Sequence, residues 1–203
     1  MTPVVADADV LFGATARGLL IHLDFLRLIR MHWSALILAE LSRALVDTAR
    51  KPGLQAARRH EQLLRAALPH AEIPVITVQK QFQAVAAAVR SDKDTHVAAC
   101  AHALVAGAHY RPARVVGLLT NNVRDFHVRK LADLGVAVIR PDAFLIDLCG
   151  ADAAGVAAAF AALRATLRSA PTPEQRLERL SADGQVRTAA ALRDASRHGA
   201  VAL

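Results

Sequence analysis

The chain has 203 residues with 25 Lys+Arg against 18 Asp+Glu, a formal net charge of +7, and 54% of its residues are hydrophobic. These values indicate one folded domain, or one domain with an appendage, and they exclude a disordered chain. Only 4% of the residues are aromatic, so the core must consist of Ala, Leu and Val, which suits helices packed on a parallel sheet. Cys100 and Cys149 show no disulfide or zinc-site spacing, so we expect the reducing environment of the cytoplasm.

The N-terminal residues do not resemble a secretory signal, because no basic region is present and Asp7 and Asp9 interrupt the apolar stretch. The apolar runs are shorter than the roughly 18 residues that a membrane span requires. We therefore expect a soluble protein with no membrane partner. The positive net charge fits a polyanionic partner, but it equally fits the solubilising charge of an arginine-rich surface.

Apolar strands and amphipathic helices alternate through the first 150 residues. In chain order, the pattern predicts a strand at 4–6, one or two helices over 10–29 broken near Gly13 or Gly18, helices at 35–48 and 54–68, a strand or extended connection at 73–78, helices at 79–90 and 95–108, a strand at 114–119, a helix at 126–134, a strand at 136–139 and a helix at 141–148. This alternation predicts a parallel sheet between helical layers, with ligands at the carboxyl ends of the strands. Beyond this domain at 1–150, a helix at 152–168 and a helical hairpin at 173–198 form a predicted extension at 151–203.

Four acidic residues end or interrupt apolar elements, where a charge is costly unless it has a partner. They are Asp7, Glu40, Asp94 and Asp125. Converging carboxylates repel one another, and a hard divalent cation such as Mg²⁺ or Mn²⁺ relieves that repulsion, so we predict a metal site. Each acid alone also has a plainer interpretation: Asp94 and Asp125 suit helix N-caps, and Glu40 could face solvent. A helix cap explains Asp7 least well, because an acid also follows it at Asp9 directly after a buried strand.

The residues around these acids resemble the PIN-domain ribonuclease family, particularly its VapC-type toxins. The matching blocks, in the order that the family has them, are VADADVLF at 5–12, WSALILAEL at 33–41, DTHVAACA at 94–101 and LTNNVRDF at 119–126, and VIRPDAFL at 138–145 is similar to the family's last strand and helix. The resemblance ends near Gly150. Asp9 departs from the Asn or Ser of many relatives, and the fourth acid of the family can correspond to Asn122 or to Asp125, of which we favour Asp125.

The resemblance implies a three-layer α/β/α sandwich with a central parallel sheet and a metal-dependent endoribonuclease activity. It implies that the catalytic residues and the Mg²⁺ (or Mn²⁺) ligands are Asp7, Glu40, Asp94 and Asp125, supported by Asp9, Thr120 and Asn122, with Arg17 and Arg124 as candidates for holding RNA. It further implies a cytoplasmic toxin with a cognate antitoxin protein and a homodimeric assembly.

Two other interpretations stay open. Asp7-Ala8-Asp9 after a first strand is similar to the nucleophile motif of haloacid-dehalogenase-like phosphatases, although the late lysine, Lys130, falls on a helix rather than at a strand end. The other is a PIN-like module that binds RNA or protein without cutting. Four acids argue against this module, because binding alone does not need converging carboxylates.

Overall fold

Five strands form one sheet in the order β3-β2-β1-β4-β5, in a computed structural model that describes residues 1–107, 110 and 115–203. The registered pairings β1 with β4, β2 with β3, and β4 with β5 are all parallel. This confirms the predicted α/β fold with a central parallel sheet flanked by helices and followed by further C-terminal helices. The strands are β1 (Thr2–Ala6), β2 (Ile29–Ser34), β3 (Glu72–Ile73), β4 (Val116–Leu119) and β5 (Val136–Ile139).

Helices connect these strands and continue beyond the last one. Within the described ranges they are α1 (Ala8–Phe12), α2 (Ala14–Phe25), α3 (Ala35–Asp47), α4 (Leu54–Ala67), α5 (Val75–Gln79), α6 (Phe82–Val85), α7 (Thr95–Ala106), α8 (Val128–Asp133), α9 (Pro141–Ala151), α10 (Ala153–Ala165), α11 (Pro173–Ala182) and α12 (Val186–Arg197), with short 3₁₀ turns at Ala86–Ala88, Asp92–Asp94 and Val123–Asp125.

The strand order reverses between β1 and β4. From β1 the chain proceeds outward to β2 and β3, and it then returns to the other side of β1 for β4 and β5. Ala6 at the end of β1 pairs with Leu119 at the end of β4, and both are fully buried. In parallel sheets, the crevice at such a reversal is where ligands bind, so the residues directly after β1 and β4 occupy the favoured position.

The described residues group into two compact units. The sheet unit comprises residues 2–12 and 30–139, and it contains all of the acids that the sequence singled out. The helical unit comprises residue 1, 13–29 and 140–203, in which α10 packs on α2 and α9, and α12 packs on α9 and α11. A domain boundary after residue 150 stays a prediction.

Two aspartates join distant segments of the helical unit. The Asp183 carboxylate accepts hydrogen bonds from the backbone N–H groups of Thr15 (2.5 Å) and Ala16 (3.0 Å) at the start of α2. Asp142 likewise accepts from the backbone N–H of Thr188 (2.9 Å) and from its hydroxyl (2.7 Å). Each aspartate therefore caps a helix that lies far away in the sequence, and so satisfies donors that a helix start leaves unpaired.

Most predicted elements are present, including the break at Gly13. The strand or extended connection predicted at 73–78 was wrong beyond Ile73, because α5 begins at Val75. Ser34 caps α3, and its hydroxyl accepts from the Ile37 N–H at 3.4 Å. The helix predicted at 79–90 was wrong. It is broken after α6, and Val89 turns to an extended conformation and pairs with Phe126 in an antiparallel bridge. Parts of two predictions, residue 108 of the helix at 95–108 and residue 114 of the strand at 114–119, lie outside the described residues.

Assigning 26–29 to a helix was also wrong, because this stretch leads into β2. Arg27 has a positive φ of 59°, which ends the helical path after α2. The alternating residues Ile29, Met31 and Trp33 are then fully buried. Their spacing at every second residue indicates a strand. The apolar residues of α2 directly before them follow helical spacing, so the point at which helix changes to strand is hard to locate in the sequence.

Among the described helices, none has both the length and the apolar character to span a membrane alone. Taken together, α9 and α10 meet those two criteria, with a bend of 120° between them.

Candidate acidic site

Asp7 lies directly after β1 and is held by the neighbouring strand. Its backbone N–H donates to the Leu119 carbonyl at 3.0 Å, and its carboxylate accepts from the Thr120 hydroxyl at 2.8 Å and from the Ala8 N–H at 2.7 Å. Asp7 is 5% exposed and Thr120 is fully buried. Parallel pairing of β1 with β4 therefore places a buried carboxylate at the strand reversal and fixes its orientation.

Asp9 lies beside Asp7 and adds a second carboxylate. One of its oxygens accepts from the Asn121 N–H at 3.0 Å, and the other is buried and has no hydrogen-bond partner in the described part of the chain. Burial raises the pKa of Asp7 to about 6, against the hydrogen bonds from Thr120 and Ala8. Burial, and then the charge of Asp7, raise the pKa of Asp9 to about 7. The two carboxylates thus oppose each other's ionisation.

Glu40 and His96 form an ion pair. Glu40 lies on α3, His96 lies in the first turn of α7, and His96 Nε2 is 3.2 Å from Glu40 Oε2. His96 Nδ1 is 2.8 Å from the Lys93 carbonyl, which can only accept. Nδ1 therefore donates to Lys93, whereas the contact of Nε2 with Glu40 has the distance of an ion pair without the geometry of a hydrogen bond. The pair is ionic when the imidazole is protonated.

The pKa values of the pair favour its charged form. The contact with His96 lowers the pKa of Glu40. Burial acts to lower the pKa of His96, but the contact with Glu40 and its charge outweigh burial and raise it. No motif in the sequence links His96 to Glu40.

Asp94 and Asp125 complete the acidic group. Asp94 ends the turn before α7, and one of its carboxylate oxygens is buried without a hydrogen-bond partner among the described residues. Burial raises the pKa of Asp94, and the charges of Asp125 and Glu40 act in the same direction, while Lys93 opposes them. Glu40 also raises the pKa of Asp7. Electrostatic interactions thus connect Asp7 and Asp9 with Glu40, Glu40 with Asp94, and Asp94 with Asp125.

The remaining predicted residues have different positions. Thr120 contacts Asp7 directly, and its oxygen also accepts from the backbone N–H of Asn122 at 3.1 Å. The side chains of Asn122 and Arg124 are exposed. Arg17 lies on α2 and belongs to the helical unit.

These carboxylates fit a hard divalent cation in chemical type, since Mg²⁺ and Mn²⁺ prefer oxygen ligands. One buried oxygen each of Asp9 and Asp94 has no hydrogen-bond partner among the described residues, and the pKa values of Asp7, Asp9 and Asp94 are raised. Both features are expected where buried carboxylates have no positive charge to compensate them. In the described ranges, however, no three His, Cys, Asp or Glu side chains are close enough to hold an ion in the observed conformation. Both oxygens of Asp7 are already hydrogen-bonded, and Glu40 is paired with His96, so ion binding would require these side chains to turn.

A groove of about 730 Å³ between α3 and α4 adjoins Glu40 and His96. Three of the side chains that line it, Arg43, Arg58 and Lys93, form no hydrogen bond or ion pair within the described ranges, although the charges of Arg43 and Lys93 act on Glu40. A polyanion could therefore bind there without displacing an existing ion pair. The lining residues of this α3–α4 groove are Leu36, Ala39, Glu40, Ser42, Arg43, Leu54, Arg58, Glu61, Phe82, Asp92, Lys93 and His96.

Comparison with known families gives a match in the helical unit. Residues 141–194 match the family model of the VapC50 C-terminal domain. The match points to the VapC toxin family. It covers less than half of the chain and includes none of the acids described above, so the PIN-like resemblance of the sheet unit rests on the sequence blocks and on the fold. Searches among curated proteins and among solved structures gave no match.

Proposed function

We propose that the protein is a metal-dependent endoribonuclease and the toxin of a toxin–antitoxin pair. The observation that carries the proposal is the series of electrostatic interactions that connects Asp7, Glu40, Asp94 and Asp125, together with one buried oxygen each of Asp9 and Asp94 that has no hydrogen-bond partner among the described residues. The C-terminal match supports the toxin assignment, since the VapC family in general implies a cognate antitoxin. Cytoplasmic location and a homodimer belong to the same proposal.

Asp7, Asp94 and Asp125 would hold Mg²⁺ or Mn²⁺, with Asp9 close by. The bound ion would acidify a water molecule and offset the charge of the scissile phosphate. Thr120 keeps Asp7 oriented through its hydroxyl. The hydrogen-bond donors around Asp7 are uncharged, so they do not neutralise its carboxylate. The ionised carboxylate can therefore attract a cation.

Glu40 is the proposed general base. His96 keeps Glu40 ionised, because the pair lowers the pKa of the carboxyl, and an ionised carboxylate can accept the proton of the attacking water. The water oxygen forms a bond to phosphorus and the bond from phosphorus to the 3′ oxygen breaks. The 3′ oxygen takes up a proton from solvent, which leaves a 5′-phosphate and a 3′-hydroxyl.

The test is a cleavage time course with the full chain, freed of any partner, on total RNA and transfer RNA with Mg²⁺, Mn²⁺ or EDTA. We expect cleavage that requires the metal and leaves 3′-hydroxyl ends, which a poly(A) polymerase can extend. Asp7→Asn and Asp94→Asn should abolish it. Asp133→Asn, at an exposed aspartate of α8, controls for the loss of one negative charge.

Cleavage at the parent rate in EDTA, or by either active-site variant, would contradict the proposal. Metal-independent RNA binding without cleavage would instead favour the PIN-like module that binds without cutting. That alternative draws some support from the structure, since the described carboxylates do not form a ready-made ion site.

A further inference from the structure

A second depression of about 540 Å³ lies on the sheet unit next to Asp125. No carboxylate is among the residues that line it. Phe126 is 2% exposed and forms its floor, whereas the arginine and lysine side chains around it are exposed. We name it the basic pocket, and its lining residues are Arg90, Phe126, His127, Val128, Arg129 and Lys130.

Two backbone segments that pair with each other build the basic pocket. Val89 and Phe126 form an antiparallel bridge. On one side of the bridge the Arg90 N–H donates to the Asp125 carbonyl at 2.8 Å, and on the other the His127 N–H donates to the Ala88 carbonyl at 2.8 Å. The same pairing therefore holds the backbone of Arg90 beside that of Asp125, and α8, which carries Arg129 and Lys130, begins directly after it.

The positive charge of the basic pocket is not neutralised by protein groups in the described ranges. Arg90 and Arg129 have no hydrogen-bond or ion-pair partner there. Lys130 donates to the Ala87 carbonyl at 2.9 Å, which is an uncharged acceptor. Exposed arginines that are not paired with a carboxylate are suited to phosphate, because the guanidinium presents two parallel donors to two phosphate oxygens.

The adjacent acidic group explains why such a pocket is needed. A polynucleotide whose phosphate lies at Asp125 is repelled by the carboxylates around it, so its attraction to the protein must come from cations beside the site. The α3–α4 groove adjoins the acids at Glu40, and the basic pocket adjoins them at Asp125. The Cα atoms of Asp125 and His127 are separated by two trans peptide units, at most about 7.6 Å.

We propose that the basic pocket binds a backbone phosphate of the RNA next to the phosphate that is cut. This inference rests on the proposed ribonuclease function. The shared chemistry is a phosphate group bound by Arg90 and Arg129, and the two sources of that group are an RNA chain and a free nucleotide. The position of the pocket beside Asp125 favours the RNA chain.

The experiment measures binding of a labelled single-stranded RNA of about 16 nucleotides by fluorescence anisotropy, in EDTA and at several salt concentrations. For Arg90→Gln combined with Arg129→Gln, we expect Kd to rise about tenfold or more. The slope of log K against log salt should become shallower by about 0.7, since the pocket binds one phosphate and each phosphate contact contributes about 0.7 for single strands. Arg168→Gln combined with Arg187→Gln removes the same charge from two exposed arginines of the helical unit and should leave both values nearly unchanged.

Equal Kd and slope in the double variant and the parent would overturn the proposal, as would an equal loss in the control pair or an absence of RNA binding by the parent. The RNA assignment would also be overturned if the parent bound ATP or polyglutamate more tightly than the RNA and the double variant lost that binding. ATP would then indicate a pocket for a free nucleotide, and polyglutamate a pocket for an acidic peptide. Thermal unfolding must show that the variants are folded. Arg90→Lys, which keeps the charge but not the two parallel donors, should give an intermediate Kd.

Binding in EDTA separates this inference from the proposed function. If the double variant loses RNA binding but the parent never cleaves RNA, the pocket assignment stands and the ribonuclease proposal fails. If the parent cleaves RNA, and the double variant binds and cleaves RNA as well as the parent, the ribonuclease proposal stands and the pocket assignment fails.

Discussion

Replacing Asp7 with Asn should stabilise the metal-free protein while it removes the proposed activity. Asp7 is 5% exposed, and burial is the main cause that raises its pKa from 3.8 to about 6. A shift of this size corresponds to about 3 kcal/mol of differential stability between the protonated and ionised forms. Asn cannot ionise, so the variant avoids this cost at every pH.

The sign of the pH dependence follows from the direction of the shift. Because the folded state binds the Asp7 proton more tightly than the unfolded chain, the stability that this group contributes is fully present below pH 3.8 and is lost as the pH rises through about 6. Asn resembles the protonated carboxyl, but its amide nitrogen cannot accept a hydrogen bond, so either the Thr120 hydroxyl or the Ala8 N–H loses its acceptor. With about 1 kcal/mol deducted for that mismatch, we expect a gain of about 1–2 kcal/mol at pH 8 and little or no gain at pH 4.

The assay is urea denaturation of the parent and of Asp7→Asn in EDTA from pH 4 to pH 8. Asp133→Asn, at an exposed position, controls for a change in net charge alone. A destabilisation of Asp7→Asn that is the same at pH 5 and pH 8 would refute the reasoning, because it would mean that burial of the charge does not set the pKa of Asp7. The pKa of Asp9 gives a second readout by carboxyl NMR, since it should fall when the charge of Asp7 is removed.

Three further predictions concern the other parts of the molecule. Glu40→Gln should lower the cleavage rate more than the Mg²⁺ affinity, and it should lower the pKa of His96 in an NMR titration, because the bond and charge that raise it are lost; an unchanged His96 pKa would contradict the ion pair. Mg²⁺ should raise the melting temperature more at pH 8 than at pH 5.5, since protons compete for carboxylates with pKa values of about 6 and 7 at Asp7 and Asp9, and an equal rise at both pH values would argue against these ligands. Asp183→Ala should cost about 1 kcal/mol in urea denaturation, because two N–H groups at the start of α2 lose their acceptor, and no loss would show that solvent replaces this cap.

The position of Asp7 could be predicted from the sequence because it depends on a local pattern, whereas the supporting role of Thr120 was implied by the family resemblance. A buried strand followed at once by an acid places that acid at a strand end, and Thr120 likewise follows an apolar strand. Parallel pairing then brings the two side chains together, as the 2.8 Å hydrogen bond shows. The cap at Ser34 and the positive φ of 77° at Gly135 also follow from the local preferences of serine and glycine.

The features that were missed depend on contacts between distant segments. No spacing rule connects Glu40 to His96, so their ion pair becomes visible only after α3 and α7 have packed. The break in the predicted helix at 79–90 has the same origin, because Val89 leaves the helical path to pair with Phe126. That pairing also assembles the basic pocket from Arg90 and Arg129, two arginines that the sequence gives no reason to associate.

The side chains and backbone groups that contact Asp7 and Glu40 determine whether these carboxylates could also bind a cation. Asp7 is oriented by a hydroxyl and a backbone N–H, which are neutral donors and leave its charge uncancelled. Had Lys or Arg been paired with Asp7, the ion pair would have compensated the burial cost but would have competed with any incoming cation. Glu40 is paired with a histidine, and this partner can release its proton near neutral pH, which a lysine or arginine cannot readily do. Neither partner permanently cancels the charge of its carboxylate. Under the proposed function, a bound cation would return the stability that burial of these carboxylates costs.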